Sequence, residues 1–346
     1  MAPLQPAIAG ALVWLAPLFS KGLEPVAPGR PMAEVSAAMC GRCHGAMHKE
    51  WVASRHAQAW TNGIFQREYQ QRPLDWCVHC HAPLDEQAAE IARTRRGGPL
   101  AAEGVTCAAC HVRGPRILAA TKRPRSPHDV EVVAEMTGPA FCAGCHQFGF
   151  PKLEGARVVG FHDVPMQDTV AQFLRGPQRA RPGACRACHA AGPGLHAYPG
   201  AHDPAMLARA LRLSVCDRAG TLELAVDNIA GGHHVPTGDV HRHVLLRAWR
   251  SSTPEGVFEL SFGRKFAPAP EGGKRLIEDT TLPAGGGWSG RLPLATLGGE
   301  PDEPVNIELR YVYAIDEHEV PRHPVGEPLW AVVTHLRERT FRPCEK

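Results

Sequence analysis

The chain has 346 residues, room for two ordinary domains, and 44% of them are hydrophobic, the range of a soluble protein. Its formal charge is only +3, with 38 basic against 35 acidic residues, so nothing calls for a nucleic-acid partner and none is expected. Aromatic residues make up 6%, which leaves side chains alone a thin core.

Residues 1–20 contain no Lys, Arg, Asp or Glu. The apolar stretch Ala7–Phe19 is too short to span a bilayer and reads as the hydrophobic region of a secretory signal peptide. Lys21 is the first charged side chain, so the usual basic start is missing. Residues 21–31 are rich in Pro and Gly and read as a linker. Residues 1–31 are thus expected to form a signal-like segment and linker.

Residues 32–212 carry five C-x-x-C-H motifs: Cys40 and Cys43 with His44, Cys77 and Cys80 with His81, Cys107 and Cys110 with His111, Cys142 and Cys145 with His146, and Cys185 and Cys188 with His189. Chance would give about 0.02 such motifs in a chain of this composition. The spacing suits covalent haem c. Two thiols add to the two vinyl groups on one porphyrin edge, and the next residue brings an imidazole under the iron. Zinc knuckles need four ligands from paired motifs, and a disulfide framework needs no histidine; neither explains five pairs each followed by His. Bacterial attachment of haem to this motif takes place outside the inner membrane, so a periplasmic or extracellular location is expected.

Strand alternation is scarce in this stretch, and Gly, Pro and Ala are common. The expectation is a mostly α and irregular pentahaem domain of short helices and loops. From Cys40 to His233 there are about 39 residues per motif, far below a normal domain, so the haems themselves must be the core, in near contact. The clearest helix is Ala46–Trp60, where His48, Trp51, Val52, Arg55, His56 and Trp60 recur at three and four.

From residue 213 to 346 the period changes to two. Thr221–Val226, His243–Trp249, Val257–Phe262, Val305–Ile315 and Trp330–Leu336 read as strands separated by Gly/Pro turns. About seven short strands in this length predict an Ig-like β-sandwich, so the fold class is α+β overall. Cys216 and Cys344 belong to no motif. In an oxidising compartment they are expected to form a disulfide, the alternative being two buried free thiols.

An electron-transfer haem usually takes a second axial ligand, here His or Met. His79 lies between the two anchors of its own haem. His48 is one helical turn past His44 and points to the same side, so neither covers its own iron. His56, about 18 Å along a helix from His44, is free to reach the haem of another motif.

Cys40-x-x-Cys43-His44 followed by Glu50-Trp51 and Ser54-Arg55-His56-Ala57 resembles the opening of the cytochrome c554-like multihaem cytochromes. Gly104–His111, Pro127-His128, Met166–Thr169, His196–Gly200 and Gly232–Gly238 resemble larger secreted members of the same broad group. The resemblance covers roughly residues 38–246 and implies distal ligand roles for His56, His128, His196 and His233. The fifth distal ligand stays open, with His162 preferred, then His48, then Met166. The fifth motif departs from the tetrahaem members, so their haem pairing does not carry over directly.

His233 precedes His234, with His241 and His243 nearby; the last three read as surface residues. If His233 binds iron, the β-domain is pinned to the haem domain. Arg93, Arg95, Arg96, Lys122, Arg123 and Arg125 are candidates to pair with haem propionates, against the plainer reading of solvated charge runs. Each ferric bis-His haem with ionised propionates adds about −1, so five bring the net charge from +3 toward about −2.

The leading expectation is an electron carrier with five haems working between redox protein partners. A membrane-associated redox complex and self-association are both compatible with it. A redox enzyme acting on a small nitrogen or sulfur compound would need one open iron. No C-x-x-C-K motif is present to supply the lysine-ligated haem of pentahaem nitrite reductases. A subunit of an extracellular cytochrome filament, joined through exposed sheet edges, is the third reading.

Overall fold

The computed structural model describes residues 35–121, 128–155, 157–253, 255–270, 273–314 and 329–345. The expected signal segment and linker lie outside these, as do Lys122, Arg123 and Arg125. The chain divides into two compact units: Met1–Pro165 with Ala180–Pro199, and Met166–Arg179 with Gly200–Lys346. The first holds all five motifs.

The helices in chain order are α1 (Ala37–Gly41), α2 (Gly45–Val52), α3 (Gly63–Gln71), α4 (Asp75–His81), α5 (Asp85–Thr94), α6 (Cys107–His111), α7 (Pro139–His146), α8 (Thr169–Arg175), α9 (Arg186–His189) and α10 (Pro204–Ala210). The strands are β1 (Val112–Arg113), β2 (Arg116–Ala119), β3 (Glu131–Val132), β4 (Gln147–Glu154), β5 (Arg157–Asp168), β6 (Leu211–Arg218), β7 (Thr221–Asn228), β8 (His243–Trp249), β9 (Phe258–Pro268), β10 (Lys274–Asp279), β11 (Gly287–Pro293), β12 (Val305–Val312) and β13 (Trp330–Glu338). The mixture is α+β, as composition and period indicated.

Local chemistry starts and stops these helices. Asn62 Oδ1 accepts the Phe65 N–H at 2.9 Å and caps α3. Gln87 Oε1 accepts the Leu84 N–H at 3.0 Å at the start of α5, and Arg95 ends that helix with φ 60°. Pro139 opens α7, and Pro204 opens α10 behind the capping Asp203.

The helix expected over Ala46–Trp60 stops at Val52. The Ser54 side chain accepts the Ala57 N–H, replacing a helical bond with a local turn. A neighbouring strand of chain then takes over: Trp51 Nε1 donates to Val105 O at 2.8 Å, and Val105 N–H donates to His56 O at 2.9 Å. Periodicity cannot register bonds to a segment so distant in sequence.

The apolar side chains of the first unit form small separate clusters. Val35, Leu84, Leu100, Ala108, Ala109 and Val112 make one. Trp60, Tyr69, Val78, Ala82, Ile91 and Ala101 make another. Val78, Ala108 and Ala109 are the residues between paired cysteines, so each cluster ends at an attachment site. The strands β4 and β5 pair with each other, where only helices and loops were expected. Trp76 of α4 packs edge-on against Phe148, with ring centroids 5.0 Å apart, and tilted against Phe161 at 5.8 Å.

In the second unit, β10-β9-β8-β12-β13 form a five-stranded sheet and β11-β7-β6 a three-stranded one. Neighbouring strands in both are antiparallel. Burial alternates as period two requires: Leu222, Leu224 and Val226 on β7 and Val244, Leu246 and Ala248 on β8 are buried. Phe262 of β9 meets Trp288 of β11, ring centroids 5.6 Å apart, across the two sheets. Strands β10 and β11 were not anticipated. Cys216 of β6 is disulfide-bonded to Cys344, Cα atoms 4.9 Å apart. Asp217 N–H donates to Arg342 O at 2.9 Å, and Cys344 N–H returns to Asp217 O at 3.1 Å.

Candidate haem centre

Every C-x-x-C-H motif is wound as a helical turn. In the first, the N–H groups of Cys43 and His44 both donate to Cys40 O, at 3.2 and 2.9 Å. In the last, Cys188 and His189 do the same to Cys185 O, at 3.2 and 2.9 Å. The other three motifs lie within α4, α6 and α7. Residues three and four apart share a helix face, so two thiols and an imidazole project together, as one porphyrin edge and its iron require.

The motifs also adjoin one another. The thiol of Cys40 hydrogen-bonds that of Cys107, Cys80 that of Cys145, and Cys142 that of Cys185. Cys110 lies close enough to Cys145 to interact with it electrostatically. These contacts link all five motifs into one set.

Several imidazoles are held by Nδ1 bonds to backbone oxygens: His81 to Ala59 at 2.8 Å, His111 to Leu118 at 2.8 Å and His189 to Pro199 at 2.6 Å. His196 does the same to Gly194 O. A donating Nδ1–H leaves the Nε2 lone pair for a metal. Burial lowers the pKa of His56 to about 4, with help from His189, and burial also lowers that of His111. Both are therefore neutral imidazoles, the form that binds iron.

Three of the histidines singled out as distal stand opposite motif histidines. Ring centroids are 6.1 Å apart for His44 and His128, 6.4 Å for His146 and His56, and 6.1 Å for His111 and His196. Two imidazoles that shared one metal at about 2 Å each would place their centroids about 6 Å apart. The donor set and its spacing thus fit covalent haem c with imidazole ligands.

The remaining candidates lie elsewhere. His162 is on β5, where its carbonyl lies so close to Gly149 that a Cβ on that residue would stand 2.0 Å away. Among the described residues it makes no ring contact with a motif histidine. His48 lies over Gly41, with its ring 5.6 Å from that of Trp51. Met166 O accepts a bond from Arg264 at 2.7 Å. His233 sits in the second unit, in the loop between β7 and β8, which buried Asn228 organises: its Nδ2 donates to His233 O at 2.9 Å and to Leu282 O at 3.0 Å. Arg93 is exposed and donates to Ala89 O in its own helix at 3.3 Å.

Some contributors were given no role by the sequence, although Glu50, Gly104 and Tyr198 lie in segments that carry the resemblance. Phe65 stacks on the His81 ring with centroids 3.6 Å apart. Tyr198 lies edge-on to both His56 and His196, at 4.9 and 6.0 Å. Gly104, with φ +62°, passes so close to His56 that a Cβ would stand 2.6 Å from its carbonyl oxygen. Glu50 accepts the N–H groups of Gly194 and His196, which hold its carboxyl below the usual range.

Residues 39–112 match the family model described as cytochrome c554 and c-prime. The chain is also similar in fold to the penta-heme cytochrome c552 from Thermochromatium tepidum. That likeness has a TM-score of 0.67 at 20% identity, and covers 89% of this chain and 100% of that one. No curated protein matches the chain. No helix among the described residues is long and apolar enough to cross a membrane. From its repeated motifs, its family match over the first three of them and its fold, the chain is a multihaem c-type cytochrome with covalently bound haem c, resembling the cytochrome c554 family.

Proposed function

We propose that the chain carries five haems in one contiguous set and conducts electrons through them between redox protein partners outside the cytoplasm. The observation that carries this reading is that at least one cysteine of every motif lies against a cysteine of another, which leaves no haem isolated. The cysteines of the five motifs form the thioether anchors, and His44, His81, His111, His146 and His189 are the proximal ligands. His128, His196 and His56 fill the opposite faces of the first, third and fourth haems, as their ring spacings favour. His233 is a distal ligand in the second unit, and His162 stays the preferred fifth. Haem supplies an iron that cycles between ferric and ferrous states. The protein's part is to keep imidazoles neutral and oriented, and to hold the anchors of different motifs adjacent. The two sheets of the second unit, facing each other through Phe262 and Trp288, are read as an Ig-like β-sandwich.

Intact mass of the exported protein, with acid–acetone extraction and a dithionite titration, tests the proposal. Five haem masses, no extractable haem and uptake of five electrons per chain are expected. A haem lost on extraction, or fewer than five electron equivalents, would overturn it.

A further inference from the structure

We propose that Glu50 is a positioning residue: its carboxylate clamps the loop of residues 192–196 so that the His196 imidazole stands opposite His111. The inference rests on the reading of His196 as a distal ligand.

Glu50 lies near the end of α2, the helix that follows His44, while His196 lies after the fifth motif. The two are joined by a pair of bonds. Gly194 N–H donates to Oε1 at 2.7 Å, and His196 N–H donates to Oε2 at 2.9 Å. A carboxylate that takes two backbone donors two residues apart fixes both the position and the tilt of the segment between them.

The loop is shaped to receive it. A Cβ on Gly192 would stand 2.5 Å from Oε1, and one on Gly194 would stand 2.9 Å from Oε2. The carboxylate therefore occupies the space that two side chains would take. The loop also holds a strained residue: Leu195, which carries a Cβ, has φ 59°, whereas Gly192 takes φ +84° without strain. Such a backbone persists only where its surroundings impose it. The imidazole is in turn bonded by Nδ1 to Gly194 O, the carbonyl of a residue that Glu50 itself holds. Ring orientation thus passes from carboxylate to loop to imidazole.

The test compares Glu50→Ala, Glu50→Gln, Gly194→Ala and His196→Ala as holoproteins of equal haem content, by EPR and by visible spectra with and without imidazole. Glu50→Ala is expected to turn one haem of the set partly high-spin, and added imidazole is expected to return it to low-spin. Glu50→Gln, which keeps one acceptor oxygen in place, should give a smaller signal. Gly194→Ala should reproduce the defect with the carboxylate intact, and it decides the matter if Glu50→Ala does not mature. The double variant Glu50→Ala/His196→Ala should show no more high-spin iron than His196→Ala alone. An unchanged low-spin spectrum in both Glu50→Ala and Gly194→Ala, while His196→Ala yields a high-spin haem, overturns the role of Glu50 only. If His196→Ala is itself fully low-spin, the ligand reading and the clamp fall together.

Discussion

The imidazoles of His56 and His146 face each other at 6.4 Å, inclined at 51°. His56 closes the turn that follows the first motif, yet it stands over the fourth. A residue that follows the first motif thereby meets the histidine of the fourth, and such crossings bring motifs distant in sequence together.

This pairing gives a first prediction. His56→Ala should convert one haem from low-spin to high-spin, as read by EPR. In a protein lacking the fourth haem, Cys142→Ala/Cys145→Ala, the same substitution should produce no new high-spin signal. With His128→Ala, which acts at the first haem, the two high-spin signals should add. A signal from His56→Ala that persists without the fourth haem assigns His56 to another iron.

Gly104 supplies the second. Its φ of +62° alone costs an alanine about 1–3 kcal/mol, and the new Cβ would meet the His56 carbonyl oxygen at 2.6 Å. Gly104→Ala should therefore lower the guanidinium midpoint and disturb the haem that His56 covers. Gly155 has the same φ of +62° with nothing within 4 Å of its Cβ position. Gly155→Ala should show the strain without the spectral change, and equal effects from both would remove the contact as a cause.

The third concerns the Cys216–Cys344 disulfide, with a sequence separation of 128. The chain-entropy description gives a loop of this size at most about 5 kcal/mol, reduced by residual structure in the unfolded chain. Non-reducing peptide maps should contain the linked pair. Cys216→Ser/Cys344→Ser should lower the unfolding midpoint of the second unit, followed by far-ultraviolet circular dichroism. Alkylation of both cysteines in the unreduced protein would show that they are not joined in solution.

A fourth addresses the core of the second unit. Leu246 is 0% exposed on the central strand β8, and Leu246→Ala should cost about 2–5 kcal/mol through lost burial and the cavity left behind. Leu276 on the edge strand β10 is 42% exposed, so Leu276→Ala should stay within about 0.5 kcal/mol. Similar losses at the two positions would contradict the burial pattern.

The amino-acid sequence by itself determined the attachment chemistry and much of the sheet. Two thiols and an imidazole at positions one, four and five are brought together by a single helical turn, so a local motif suffices to specify each anchor. Alternation likewise marked β7, β8, β9, β12 and β13; in β7 and β8 it follows burial, one face being buried and the other partly exposed, whereas β12 is buried on nearly every residue. The tertiary structure decided what depends on segments meeting from afar. It ended the helix at Val52, where the passing Gly104-Val105 backbone competes for bonding groups. It paired β4 with β5, although partly buried strands lining the motifs carry no clean period. It set His128 against His44 and His196 against His111, and it placed Glu50 under the loop that holds His196. A side chain's own neighbours fix the direction in which it leaves the backbone, whereas the group it meets is fixed only when the chain closes those long loops.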